Sequence, residues 1–409
     1  LETAFDDYFT THRISNALNL TYKVKKGQEI SVLGGYNYYK RTKEKFLKDL
    51  VNIKYTKLDD PASQDTSVFD LIFSRGTYSF SKDSAKINYQ LGYDINVETN
   101  RGQRIAEGQK QIGDYAVFGS MEYRPNSKMV IRPGLRYSYN TAYETPIIPS
   151  LNMKYQWTRH LSSRVSWGRG FRAPSLKELH FLFVDLNHNI LGNQDLKAEN
   201  SDNFMLQFAY KRGVKRGVYN FGLSGFYNSV RNQISLVLQD QAEQLYSYKN
   251  IGEFYSQGIN FTSGFKYKTY RTDFGFSWVG RYNLESISNS EVDKFSYTPE
   301  IMGSFGYEVE SWNTTFNLFF KYTGKVLGYF DDELNGVSQF EIEDYSMMDV
   351  SVIRYFFKKK MNLTIGAKNL FDVGNIVSGQ FTGGVHSGGG GNIPVAWGRT
   401  YFTKLVYNF

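Results

Sequence analysis

Apolar and polar residues alternate along most of this chain. In the last ten residues, Tyr401, Thr403, Leu405, Tyr407 and Phe409 fall on one face of an extended strand, and Phe402, Lys404, Val406 and Asn408 fall on the other. Met361, Leu363, Ile365 and Ala367 oppose Asn362, Thr364, Gly366 and Lys368 in the same way, and residues 131–139 and 219–228 repeat the pattern. Period-two alternation is the mark of a strand with two unlike faces. About seventeen such segments follow one another, beginning near 12–25 and 29–40 and including 162–171, 199–212, 216–239 and 244–269. Many exceed the five or six residues usual in globular sheets.

The connections alternate in length. KKGQE, FSKDS, RPNSK, TRHL, KRGVKRG, KTYR, EVESW and FKKKM are short, whereas 41–67, 98–110, 172–198, 326–339 and 371–396 are long. Strict alternation puts every long loop at one end of an antiparallel meander, the asymmetry of an outer-membrane barrel. A soluble propeller would repeat every forty to fifty residues, and no such repeat occurs. The pattern predicts an all-β, transmembrane, antiparallel up-and-down β-barrel with long external loops. Its polar face lines a wet interior and its aromatic face meets lipid.

Composition agrees. Tyr and Phe number 32 each, Gly 37 and Pro only 8, a mixture suited to strands with one apolar and one wet face. No run of apolar residues is long enough for a membrane-spanning helix. The absence of Cys excludes thiol catalysis and thiolate metal sites. The net charge of +8 is spread over turns and alternating positions. It reads as solvated rather than as a nucleic-acid stripe. No phosphate-cradling, zinc-protease or nucleophile-elbow pattern occurs, and the five His are scattered, so an enzyme is not expected. Asp331, Asp332, Glu333, Glu341, Glu343 and Asp344 flank one loop without the spacing of a calcium site.

The alternation lapses over residues 169–200, RGFRAPSLKELHFLFVDLNHNILGNQDLKAEN. Pro174 ends a strand because it lacks a ladder donor. Ser175 and Glu178 fit a capping box, with Leu176, Leu179 and Phe183 at helical spacing, so a short helix or turn over the barrel mouth is expected. A loop of this length without a function is uncommon.

These residues resemble the TonB-dependent outer-membrane receptors. Gly170-Phe171-Arg172-Ala173-Pro174 matches the box that closes one strand in that family. Asn193-Gln194-Asp195-Leu196-Lys197-Ala198-Glu199 matches the box that opens the next, with Gln194 where the family has Pro. Lys368-Asn369-Leu370-Phe371-Asp372 and the strand from Trp397 to Phe409 also fit, the latter through Tyr401, Leu405, Tyr407 and the terminal Phe409 as a membrane-assembly signal. The resemblance implies a barrel of about 22 strands around an N-terminal plug. On that count residues 1–409 are a single barrel domain lacking its plug and about the first five strands.

The resemblance also implies an outer-membrane receptor importing a scarce bulky ligand: haem or another iron chelate, or alternatively a corrinoid. The ligand is cargo, with no intrinsic cofactor. The partners implied are the TonB energy-coupling complex acting through the plug, the lipid bilayer and lipopolysaccharide. The Gly-rich loop around His386 equally suits closing over a corrinoid or meeting a surface lipoprotein. A passive porin-like channel is the reading from a different class. His180, His188 and His386 are candidate axial ligands for haem iron, and Phe181 and Phe183 are candidate stacking partners for a porphyrin.

Overall fold

The structure, a computed structural model, describes residues 2–59, 63–185, 188–240, 245–250, 252–282, 293–332, 336–377 and 392–408. Among these, eighteen strands belong to one large antiparallel sheet, and three smaller sheets lie in the long connections. No helix is long and apolar enough to cross a membrane. The chain divides into two compact units: Leu1–Met153, Trp167–Asp202 and Val230–Glu253 form one, and Lys154–Ser166, Asn203–Ser229 and Phe254–Phe409 form the other.

In the first unit, strands Thr3–Lys25, Gln28–Asp49, Asp65–Phe80, Ile87–Gly102, Gln109–Asn126 and Met129–Asn140 pair successively in antiparallel register. Register sorts the side chains by face. Tyr93, Val117 and Tyr137 line up across three strands, as do Leu91, Gly119 and Leu135. Leu91, Val117, Leu135 and Tyr137 are each more than half exposed. The opposite face carries a charge network in which Arg136 bridges Asp94 (3.1 Å) and Asp114 (3.4 Å), while Glu122 pairs with Arg124 (2.7 Å) and Arg132. This inverts the soluble arrangement, since the greasy face is the open one. Covering each large apolar side chain with hydrocarbon is worth about 1.5–3 kcal/mol.

The second unit repeats the pattern. Strands Glu253–Tyr267, Tyr270–Tyr282, Phe295–Val309, Thr314–Thr323, Tyr345–Phe356, Met361–Lys368 and Thr400–Tyr407 pair in sequence. Ile259, Phe274, Trp278, Phe305, Leu318, Val352 and Ile365 are exposed on one face. Tyr401, Leu405 and Tyr407 join that face, opposite Ala367, Leu363 and Met361. Phe409 lies outside the described residues.

Several elements differ from expectation. The second strand continues to Asp49 rather than ending near residue 40, and the expected loop 41–67 contains a turn and a further strand, Lys54–Lys57. Residues 216–239 divide into Gly217–Arg231 and Ile234–Asp240, and 244–269 into Leu245–Asn250 and Glu253–Tyr267. The breaks coincide with left-handed backbone at Asn232 (φ 56°) and Gly252 (φ 99°), which no extended strand accommodates. The expected loop 326–339 holds a hairpin pairing Val326–Asp332 with Gly336–Ile342.

Candidate functional site

The stretch that breaks the alternation folds as a layered cap. Strand Leu161–Arg172 ends before Pro174, which is fully buried, and a short helix α1 follows at Leu176–His180. Ser175 caps it: its Oγ accepts from the Glu178 backbone N–H (3.2 Å), and Glu178 accepts from the Ser175 N–H (2.8 Å). This is the reciprocal capping box the sequence predicts. Arg172 ties the cap together. Its Nη1 donates to both Glu178 carboxylate oxygens at 3.0 Å and its Nη2 to Glu199 Oε1 at 2.6 Å, while Glu199 Oε1 also accepts from the Ile234 N–H (2.7 Å). One guanidinium thus joins a strand end, a helix start and the next strand start. Burial opposes ionisation of Glu178, but the hydrogen bonds from Arg172 and Ser175 outweigh it and hold the carboxyl below its ordinary value. The bond to Glu199 and the paired carboxylate Glu178 raise the Arg172 guanidinium pKa against the opposing effect of burial.

Beyond α1, Leu182–Asp185 and His188–Leu191 form a hairpin, His188–Leu191 runs parallel to Leu245–Asn250, and Ile234–Asp240 completes a four-stranded sheet. Leu179, Leu196 and Ile234 form a buried apolar cluster against Ile112 and Tyr248. Asn193 starts a tight turn, its Oδ1 accepting from the Asp195 N–H (2.9 Å) and its Nδ2 donating to the Tyr248 carbonyl (2.9 Å). Asn250 binds both backbone groups of Lys197 and the Asn232 carbonyl. Gly192 is required by close approach, because a Cβ there would lie 2.5 Å from Phe181 N and 2.7 Å from His180 N. Gly170, Phe171 and Ala173 carry the chain through the strand end into Pro174.

The candidate ligand-facing residues separate. His180 sits at the end of α1, its carbonyl accepting from the Ala106 N–H (2.9 Å). Its Nδ1 is buried without a partner among the described residues. Burial, seconded by Lys110 and opposed by Glu107, holds its pKa below the ordinary value. His188 opens the second strand of the hairpin. His386 lies outside the described residues. The Phe181 and Phe183 rings stand 5.7 Å apart, with Lys177 over Phe181 (4.9 Å) and Arg104 over Phe183 (4.0 Å). Among the described residues no group of three or more His, Asp or Glu is placed to hold a metal.

Phe181 and Lys177 line a cavity of about 460 Å³ with Phe9, Tyr39, Arg41, Lys43, Asp65, Ser67, Phe69, Asn100, Arg101, Arg104 and Ile105. His180 is not among the lining residues. The wall residues come from neighbouring strands in register: Phe9 opposite Lys43, Lys43 opposite Asp65, Tyr39 opposite Phe69, and Phe69 opposite Asn100. The expected strand near 29–40 includes Tyr39 but stops short of Arg41 and Lys43, and the expected loops 41–67 and 98–110 take in Asp65, Asn100, Arg101 and Arg104; the alternation of Tyr39, Arg41 and Lys43 on one face is the signal that extends the strand.

The cavity is cationic and aromatic. Arg104 pairs with Asp65 (3.1 Å), Lys43 with Asp7 (3.3 Å) and Arg101 with Asp70. Arg41 lies over Phe9 (4.4 Å) and Lys177 over Phe181, and neither is ion-paired to a described residue. Asn100 is 2% exposed, and its Oδ1 and Asp65 Oδ1 are buried acceptors without partners among the described residues. The arrangement suits a ligand bearing negative charge, flat apolar surface and some hydrogen-bond donors.

A family profile described as TonB dependent receptor-like, beta-barrel, matches residues 2–370. The chain is 25% identical over 346 residues to the ferric enterobactin receptor of Pseudomonas aeruginosa, covering 75% of this chain and 43% of that protein. It is 24% identical over 328 residues to the ferrienterobactin receptor of Escherichia coli, covering 72% and 42%. The chain therefore spans less than half the length of these curated relatives. A crystal structure of a mutant of the P. aeruginosa receptor in complex with enterobactin covers 98% of this chain and 70% of its own, with a TM-score of 0.69 and 14% identity, a likeness of fold. The exposed apolar faces are those of a bacterial outer-membrane β-barrel, and the chain belongs to the TonB-dependent receptor β-barrel family.

Proposed function

We propose that this chain is the barrel of a receptor that captures an anionic ferric chelate from outside the cell and passes it inward with energy supplied by TonB through a plug domain. The observation that carries this reading is the cavity between Phe9, Tyr39, Arg41, Phe69, Lys177 and Phe181. Two of its cations, Arg41 and Lys177, rest on aromatic rings rather than on carboxylates. That leaves positive potential for a ligand, and the rings offer it flat surface. Relatives named for ferric enterobactin support the same chemistry.

The test is titration of the folded chain with ferric enterobactin, followed by quenching of its tryptophan fluorescence. Saturable binding is expected, weakened about tenfold by Arg41→Ala or by Lys177→Ala, the loss of one charge-assisted contact. No binding, or binding indifferent to both changes, overturns the reading.

Haem is the second reading, because the buried Nδ1 of His180 has no partner among the described residues. Iron ligation would then have to use Nε2. A Soret shift on haem addition that His180→Ala abolishes would favour it over the chelate.

A further inference from the structure

Three adjacent strands of the first unit leave a gap in their apolar face. Leu91, Gly119 and Leu135 stand in register, and Gly119 contributes no side chain. Its neighbours therefore wall a furrow of about 730 Å³, bounded by Tyr89 and Met121 towards the short turns and by Val117 and Tyr137 beyond. A Cβ added at Gly119 would lie 2.9 Å from Leu91 Cδ2, the mobile end of a side chain. The furrow is thus kept open by the missing side chain rather than by backbone crowding, and its width suits a hydrocarbon chain.

The strands run from this furrow to two short turns, residues 81–86 and 124–128, which carry Lys82, Lys86, Arg124 and Lys128 against a single carboxylate, Asp83. Arg124 is engaged by Glu122 (2.7 Å) and by the Asp83 carbonyl (3.0 Å), and Lys82 lies over the Phe80 ring (5.4 Å). Lys86 and Lys128 are exposed and carry no ion pair to a described residue. From Gly119 to Arg124 the strand rises about 17 Å at ~3.3 Å per residue, or roughly 13 Å after a tilt near 40°, about half of an apolar band of ~25 Å. A chain seated at Gly119 therefore ends with its headgroup at the level of the lysines.

We propose that this face holds one anionic glycerophospholipid, an acyl chain in the furrow over Gly119 and its phosphate at Lys86 and Lys128. Other short turns share the bias, with Lys211, Arg212, Lys215 and Arg216 in one and Lys358, Lys359 and Lys360 in another. This inference does not depend on what the external cavity binds.

The experiment is native mass spectrometry of the folded, detergent-extracted chain. It is delipidated and offered phosphatidylglycerol and phosphatidylethanolamine with identical acyl chains. One phosphatidylglycerol should be retained with about thirtyfold preference, the scale expected for two lysines near a charged membrane surface. Lys86→Gln with Lys128→Gln should remove the preference but keep chain binding, whereas Gly119→Leu should reduce retention of both lipids. Heat-modifiable gel mobility reports whether each variant is folded. If Gly119→Leu does not fold, the exposed lysine pair alone decides. Equal retention of the two lipids by the unmodified chain, or a preference that survives loss of both lysines, overturns the proposal.

Discussion

At the scale of the residue, Arg172 organises the outer cap. Its planar fork meets two carboxylates from different elements with two nitrogens held apart in one plane, a task the single nitrogen of a lysine ammonium performs poorly. Arg172→Ala should therefore loosen residues 176–199 by about 2 kcal/mol, the scale of a charge-assisted hydrogen bond lost beside a half-buried carboxylate. Arg172→Lys should fall between the two. Amide hydrogen exchange in α1 and at Ile234, whose N–H reaches Glu199, checks both. Acid should act through Glu178 in the same direction. Its folded-state pKa lies below the ordinary value of 4.5, so its contribution is present above that value and is lost as pH falls through the depressed one. His180, held below its ordinary 6.5, likewise favours the fold above that value and ceases to do so as pH falls towards its own. Faster exchange of the Ala106 amide, which donates to the His180 carbonyl, should thus begin at a higher pH than exchange of the capped α1 amides. A common pH midpoint for the two would contradict this assignment.

At the scale of the element, the cap is a helix, a hairpin and a returning strand pair held by a few contacts. Gly192→Ala places a methyl group against the Leu179–Phe181 backbone, which cannot yield as a side chain would. It should destabilise the cap by about 1–3 kcal/mol and weaken ligand binding, because Phe181 and Lys177 belong to the same segment. Limited proteolysis after residue 180, beside a binding titration, measures both effects. The edges of this cap are legible in the sequence, since Pro174, the Ser175–Glu178 box and the Asn193 turn each carry a local physical signature. The strand pair Ile234–Asp240 and Leu245–Asn250 is not. Its alternation runs on from the neighbouring wall strands, and only Asn232 and Gly252 in left-handed backbone separate the two. The upper half of Gln28–Asp49 is hidden for the opposite reason. Above the apolar band both faces of a strand are wet, so Lys40, Thr42, Lys43 and Glu44 read as a loop although the ladder continues.

At the scale of the whole molecule, a long wall strand such as Gln28–Asp49 has three zones: a basic short turn, an apolar band and a wet extension. From Gly27 to Arg41 the strand rises about 46 Å at ~3.3 Å per residue, or roughly 35 Å after a tilt near 40°, against an apolar band of about 25 Å. The cationic cavity therefore stands above the bilayer on paired strands. Its attraction for an anion is open to counter-ions, so raising salt from 20 to 200 mM should slow association about tenfold or more while leaving dissociation nearly unchanged. Stopped-flow fluorescence separates the two rates, and a salt effect confined to dissociation would argue against electrostatic capture. The extended ladder has a further consequence. Thr3–Lys25 and Gln28–Asp49 pair along almost their whole length, so the part above the membrane keeps one shape instead of sampling many. Antibodies and phage tail proteins meet that part of a cell first, and a fixed relief is what they can learn to grip. An immunoglobulin raised against the folded hairpin would recognise its conformation rather than its linear sequence.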